Sequence, residues 1–123
     1  MGYESRIIVA RRSKWDNGCV WFEKLGEMWM SCCGYSFREI FTTEIESDIY
    51  GDGFKKNSDE EIELTEDCYG DICKYAPIQT VIDWLENAEA AEHYRRFTPA
   101  IAMLKAYAAE EWDGELVVIH YGY

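Results

Sequence analysis

Five cysteines (Cys19, Cys32, Cys33, Cys68 and Cys73) and two histidines (His93 and His120) are the side chains best suited to nucleophilic or metal chemistry in this 123-residue chain. A thiol needs a neighbouring base to become a nucleophile, so Cys32 or Cys33 with His120 is the pair a small thiol enzyme would use. Nothing in their spacing brings them together. Cys68 and Cys73 enclose four residues, as a zinc finger's first ligand pair can, but no second Cys or His pair follows at finger spacing. The odd, irregular cysteine set reads as reduced thiols and not as a disulfide framework. "DIYGDGF", from Asp48 to Phe54, offers Asp48 and Asp52 to a calcium ion, yet lacks the ligand order of an EF-hand and its closing Glu. The expectation is no catalytic centre, no metal and no cofactor, with a thiol enzyme the most distant alternative.

Carboxylates carry the stronger pattern. "TEIESDIY" (Thr43 to Tyr50) and "EEIELTED" (Glu60 to Asp67) alternate acidic and aliphatic side chains. In an extended strand alternate residues share a face, so Glu44, Glu46 and Asp48 lie opposite Ile45 and Ile49, and Glu61 and Glu63 lie opposite Ile62 and Leu64. If the two runs pair as a hairpin with aliphatics inward, five carboxylates crowd one exposed face. They would stand about 6.8 Å apart along a strand and roughly 5 Å apart across the pair. Like charges placed so repel, and the arrangement resembles the phosphate spacing of a nucleic acid. Glu66 and Asp67 extend the cluster. The candidate partner-binding residues are therefore Glu44, Glu46, Asp48, Glu61, Glu63, Glu66 and Asp67. The plainer alternative is an ordinary solvated acidic face.

The bulk charge points the same way. The net charge is −12, and residues 43–75, with three basic and eleven acidic side chains, hold −8 of it. Such a surface is repelled by nucleic acid and attracts basic proteins. Direct nucleic-acid binding is excluded on that ground. No apolar run reaches the roughly 18 residues of a membrane-spanning helix, and the N-terminus lacks a signal-peptide pattern, so the expected compartment is the cytoplasm. Arg95, Arg96 and Phe97 with the terminal "HYGY" are the residues that would line a small-ligand pocket, for example for a nucleotide. Trp21, Trp29, Trp84 and Trp112 read as core, while Trp15, in a charged turn, reads as a surface anchor for a partner.

The elements that position these groups follow from periodicity. "SRIIVAR" reads as a first strand, and Asn17-Gly18 as a hairpin turn. The stretch Cys19 to Cys33 fits helix or strand, and the hairpin turn favours strand. "SFREIF" suits a short helical turn capped by Ser36. "GDGFKKNSD" reads as a loop between the acidic runs. A helix begins near Pro77, with Ile78, Val81, Ile82 and Leu85 on its apolar stripe. On its other side Asp83, Glu86, Glu89 and Glu92 form an acidic row. A second helix takes Thr98 as N-cap and Pro99 at its first position, with Ile101, Leu104 and Tyr107 on one face. "ELVVIHYGY" closes the chain as a strand, central in the sheet and beside the first strand. The result is one α+β domain over residues 1–123: a mostly antiparallel sheet of about four to five strands with two helices on one face.

The "MGYESRI" start, the "YGD" turn and the "ELVVIHYGY" end resemble small proteins carried by phages and mobile elements. In being compact, acidic and without a catalytic signature, the chain is also similar in character to anti-CRISPR proteins. That resemblance implies an inhibitor that occupies the nucleic-acid-binding groove of a host defence effector, so the implied partner is a basic, nucleic-acid-binding protein such as a CRISPR effector. It assigns no residues, because anti-CRISPR families share no common motif. The alternative is an anti-defence protein that binds a small nucleotide signal.

Overall fold

The run "SRIIVARRSK" forms β1 (Ser5–Lys14), which turns through Asn17-Gly18 into β2 (Val20–Trp29). Gly18 has φ +87°, a conformation that favours glycine, and the Asn17 side chain accepts a hydrogen bond from the Cys19 amide at 2.9 Å. Over Val20–Trp29 the hairpin resolves the helix-or-strand ambiguity in favour of strand, and residues 31–33 lie outside the described residues. The computed structural model describes residues 5–30, 35–46, 49–50, 55–57, 60–61, 71–92 and 96–122. Within them follow α1 (Tyr35–Arg38), β3 (Thr43–Glu44), β4 (Ile49–Tyr50), β5 (Lys55–Asn57), β6 (Glu60–Glu61), β7 (Lys74–Pro77), α2 (Ile78–Glu92), α3 (Thr98–Ala108) and β8 (Glu115–Gly122).

The main sheet runs β3-β7-β8-β1-β2-β4, and β5-β6 form a separate two-stranded sheet. All neighbours in the main sheet are antiparallel except β2 and β4, which are parallel. β8 and β1 are its central strands, as their unbroken apolar runs require, because both faces are covered. Ile7, Val9, Ala76 and Val118 face a core shared with the helices, and Ile8, Ala10, Phe22, Val117 and Ile119 form a second buried cluster. The α+β expectation, with both helices on one sheet face, holds.

α2 buries the predicted stripe of Ile78, Val81, Ile82 and Leu85. α3 is rotated slightly from expectation: Ala100 and Leu104 are buried, while Ile101 and Tyr107 flank them. Its N-cap is Phe97, with no side-chain cap bond. Thr98 is already helical, and its hydroxyl donates to the Glu89 carboxylate of α2 at 3.1 Å. Pro77 ends β7 instead of starting the helix, and Ser36 lies inside α1 instead of capping it.

A β-bulge fixes how α3 sits on the sheet. The register of β1 against β2 slips between Val9, opposite Gly26, and Ala10, opposite Lys24, leaving Leu25 as the extra residue. The Leu25 carbonyl accepts a hydrogen bond of 3.0 Å from the Tyr107 hydroxyl. That hydroxyl occupies the space a Cβ would need at Gly26, so only glycine lets the helix approach. The Tyr107 carbonyl in turn accepts the Trp112 indole N–H at 2.9 Å. Trp29, expected in the core, is 63% exposed. It ends β2 at a corner of the sheet, where the Arg6 guanidinium lies 5.6 Å from its ring and 4.2 Å from that of Tyr121.

Candidate functional site

The two acidic runs do not pair with each other among the described residues. In the first run, Thr43–Glu44 joins the β7 edge of the sheet, with Glu44 opposite Lys74, and Ile49–Tyr50 joins the opposite edge beside β2. In the second run, Glu60–Glu61 pairs with Lys55–Asn57. The expected loop "GDGFKKNSD" therefore contributes a strand, and β6 closes on the nearest available one, the connection that costs least loop entropy. Ile45 is buried and Glu44 and Glu46 are exposed, but β3 ends at Glu44, and Glu46 lies in a bend that turns it to Tyr75, a member of the same buried cluster as Ile45. Asp48, Glu63, Glu66 and Asp67 lie outside the described residues, as does the Glu61 side chain.

Glu46 is engaged within the molecule. The Arg12 guanidinium grips its carboxylate side-on, Nε to Oε1 at 3.0 Å and Nη2 to Oε2 at 2.5 Å. The Tyr75 hydroxyl donates to the same carboxylate. β1, β7 and the segment after β3 each supply one member of this cluster, and Glu115 of β8 stands 3.9 Å from Arg12. The Arg12 hydrogen bond holds the Glu46 carboxyl below the usual carboxylate range, against the opposing effect of burial. Burial, and then the bond to Glu46, push the Tyr75 phenol up to about 12. A phenol so raised stays protonated as a donor, so the cluster ties the β3 edge to the sheet and offers no activated base or nucleophile. Sequence reasoning missed Arg12 and Tyr75 because they stand 34 and 29 residues from Glu46, and no local pattern links them.

Other carboxylates are similarly placed. In the acidic row of α2, Asp83 accepts from Gln79 at 2.8 Å, Glu86 pairs with Lys105 at 3.1 Å, and Glu89 holds Thr98. Basic side chains are drawn inward by acids: Arg6 and Lys24 both pair with Glu27, and Arg11 with Glu23.

Glu44 borders a groove of about 720 Å³ on the helix side of the β3–β7 edge. The cross-strand row Glu44–Lys74–His120 forms part of its lining, and Arg38, Phe41 and Asp71 stand around it. His120 is buried at 7% exposure, with its ring 5.2 Å from Phe41 and 5.7 Å from Phe37. The terminal "HYGY" thus meets a groove through His120 and Gly122, but its cations are Arg38 and Lys74. Arg96 instead lies over Phe97 at 5.0 Å, and Arg95 is outside the described residues. Cys19 is exposed and Cys73 buried, while Cys32, Cys33 and Cys68 fall outside the described residues. Among the described residues no three His, Cys, Asp or Glu side chains converge as a metal site, and no helix is long and apolar enough to cross a membrane.

Comparison with protein-family models, with curated proteins and with solved structures finds no match to this chain. The resemblance to phage-borne and anti-CRISPR proteins accordingly rests on the sequence features alone.

Proposed function

We propose that the protein is an acidic inhibitor that binds another protein, presenting carboxylates to a cationic, nucleic-acid-binding groove; the implied partner is a host defence effector of the CRISPR type. One observation carries this. The chain has 24 acidic and 12 basic side chains, so even complete one-to-one pairing leaves twelve carboxylates over. The ion pairs within the fold use bases that would otherwise offset the acids outside. A surplus of this size steers a basic partner and repels nucleic acid, which competes for the same groove.

Removal of charge tests it, with the choice of residues guided by the fold. Glu46→Lys would set a second cation against Arg12 and disturb folding, so it cannot report on binding alone. Glu44→Gln combined with Glu61→Gln and Glu63→Gln is the informative variant, because lysine at 44 or 61 would stand directly opposite Lys74 or Lys55. Against a purified nucleic-acid-guided effector, the wild type should displace guide or target nucleic acid, with affinity falling steeply as salt rises. The triple variant should lose at least tenfold in affinity and keep its circular dichroism spectrum. Displacement that is indifferent to salt, or unchanged in the variant, rejects the proposal.

A further inference from the structure

Trp15 at the tip of the β1–β2 hairpin is 60% exposed, so much of its indole meets solvent. It is also held in place. The Trp15 amide donates to the Cys19 carbonyl at 2.8 Å, and its own carbonyl accepts from Gly18 at 2.9 Å, closing the turn. Its ring stacks on Trp21 with centroids 5.4 Å apart. Beyond Trp21 comes the Arg11 guanidinium, 4.9 Å from that ring, fixed by Glu23 at 3.2 Å and by the Asp113 carbonyl at 3.2 Å. The pile therefore runs guanidinium, indole, indole, and ends on a ring open to solvent.

We infer that the open face of Trp15 takes an arginine of the basic partner, a step that rests on the proposed function and gives that partner a defined contact. Three features favour a guanidinium over other occupants. An indole face is the best of the aromatic surfaces for a cation, and arginine stacks on it with little loss of hydration. The neighbourhood is net acidic: Arg11 and Arg12 already face Glu23, Glu46 and Glu115, while Asp16 and Asp113 are exposed nearby against Lys14 alone. The same contact recurs inside the molecule, with Arg6 on Tyr121 and Arg11 on Trp21. Because the turn and the stack hold Trp15 in advance, little side-chain freedom is lost on binding.

The test uses an oligoarginine peptide and an oligolysine peptide of equal length, titrated calorimetrically into the intact protein at low salt. Wild type should bind oligoarginine about three- to fivefold more tightly than oligolysine. Trp15→Ala and Trp15→Leu should both erase that preference while keeping a cooperative thermal unfolding transition, because leucine keeps apolar surface but has no ring face. Equal binding of the two peptides to wild type, or a preference that survives both substitutions, overturns the Trp15 contact and leaves the anionic surface standing. Failure of both peptides to bind removes the anionic surface, and with it the proposed function.

Discussion

Glu46 sits between a guanidinium and a phenol, so its alternation with Ile45 describes its exposure and not its partners. The cluster it forms has a pH signature whose direction follows from the two shifted groups. Tyr75 holds its proton in the folded protein up to about 12, whereas the unfolded chain ionises near 10.0. Below the lower value both states are protonated and this group gives stability no slope. Between the two the folded state holds the extra proton, so stability falls as pH rises. Glu46 acts at the other end: its folded carboxyl is lowered, so its contribution is present above the ordinary carboxylate range and is lost as pH falls through the folded value. Tyr75→Phe should cost about 1 kcal/mol at neutral pH, from one lost hydrogen bond to a carboxylate that Arg12 still holds. It should also flatten the alkaline decline relative to wild type, as read from urea midpoints up to about pH 12. An unchanged alkaline limb in the variant would show that the phenol does not titrate as described.

The bulged strand β2 is sensitive to the addition of a single atom. Adding a Cβ at Gly26 meets the Tyr107 hydroxyl, which is anchored to the Leu25 carbonyl and cannot simply swing away. Gly26→Ala should therefore destabilise by about 1–3 kcal/mol through overpacking, although the same change in a free strand would be neutral or favourable. Tyr107→Phe in the Gly26→Ala background should recover part of that loss, and a double-mutant cycle measures the coupling; strict additivity would mean the two groups do not meet. Leu85→Ala, at a fully buried site of α2, should cost about 2–5 kcal/mol. The difference in legibility has a physical cause. The stripe of α2, the buried runs of β1 and β8 and the Asn17-Gly18 turn are written in adjacent residues, so periodicity and turn chemistry reveal them. The bulge at Leu25 and the pairing of the first acidic run with β7 and β2 depend on partners far along the chain. Thr98 shows the same limit within one helix: its type suits an N-cap, but Glu89 of the neighbouring helix takes its hydroxyl. The candidate site was legible only as composition, and the Arg12–Glu46–Tyr75 cluster and the Arg38–Lys74–His120 groove needed three dimensions.

At the scale of the whole molecule two electrostatic effects compete, and salt separates them. The internal pairs, Arg6–Glu27 and Arg12–Glu46 among them, stabilise the fold and weaken as salt screens them. The surplus carboxylates repel one another across the surface, and screening relieves that repulsion. The pairs are close, in contact at 2.5–3.2 Å, and several of their side chains are largely shielded, so salt reaches them poorly. The repulsions act through solvent over distances comparable with the Debye length, about 8 Å at physiological ionic strength, where salt acts most effectively. Relief of repulsion should therefore win. Raising sodium chloride from about 0.01 M to about 0.15 M is expected to raise Tm by a few degrees, on the order of 1 kcal/mol. A fall in Tm over that range would mean that the internal pairs dominate and that the surplus charge is spread too thinly to matter. The same repulsion links stability to function: a cationic surface neutralises these carboxylates more locally than dissolved salt does. The oligoarginine peptide should thus raise Tm at low salt, and lose that effect as salt rises, while an oligoglutamate of equal length should leave Tm unchanged.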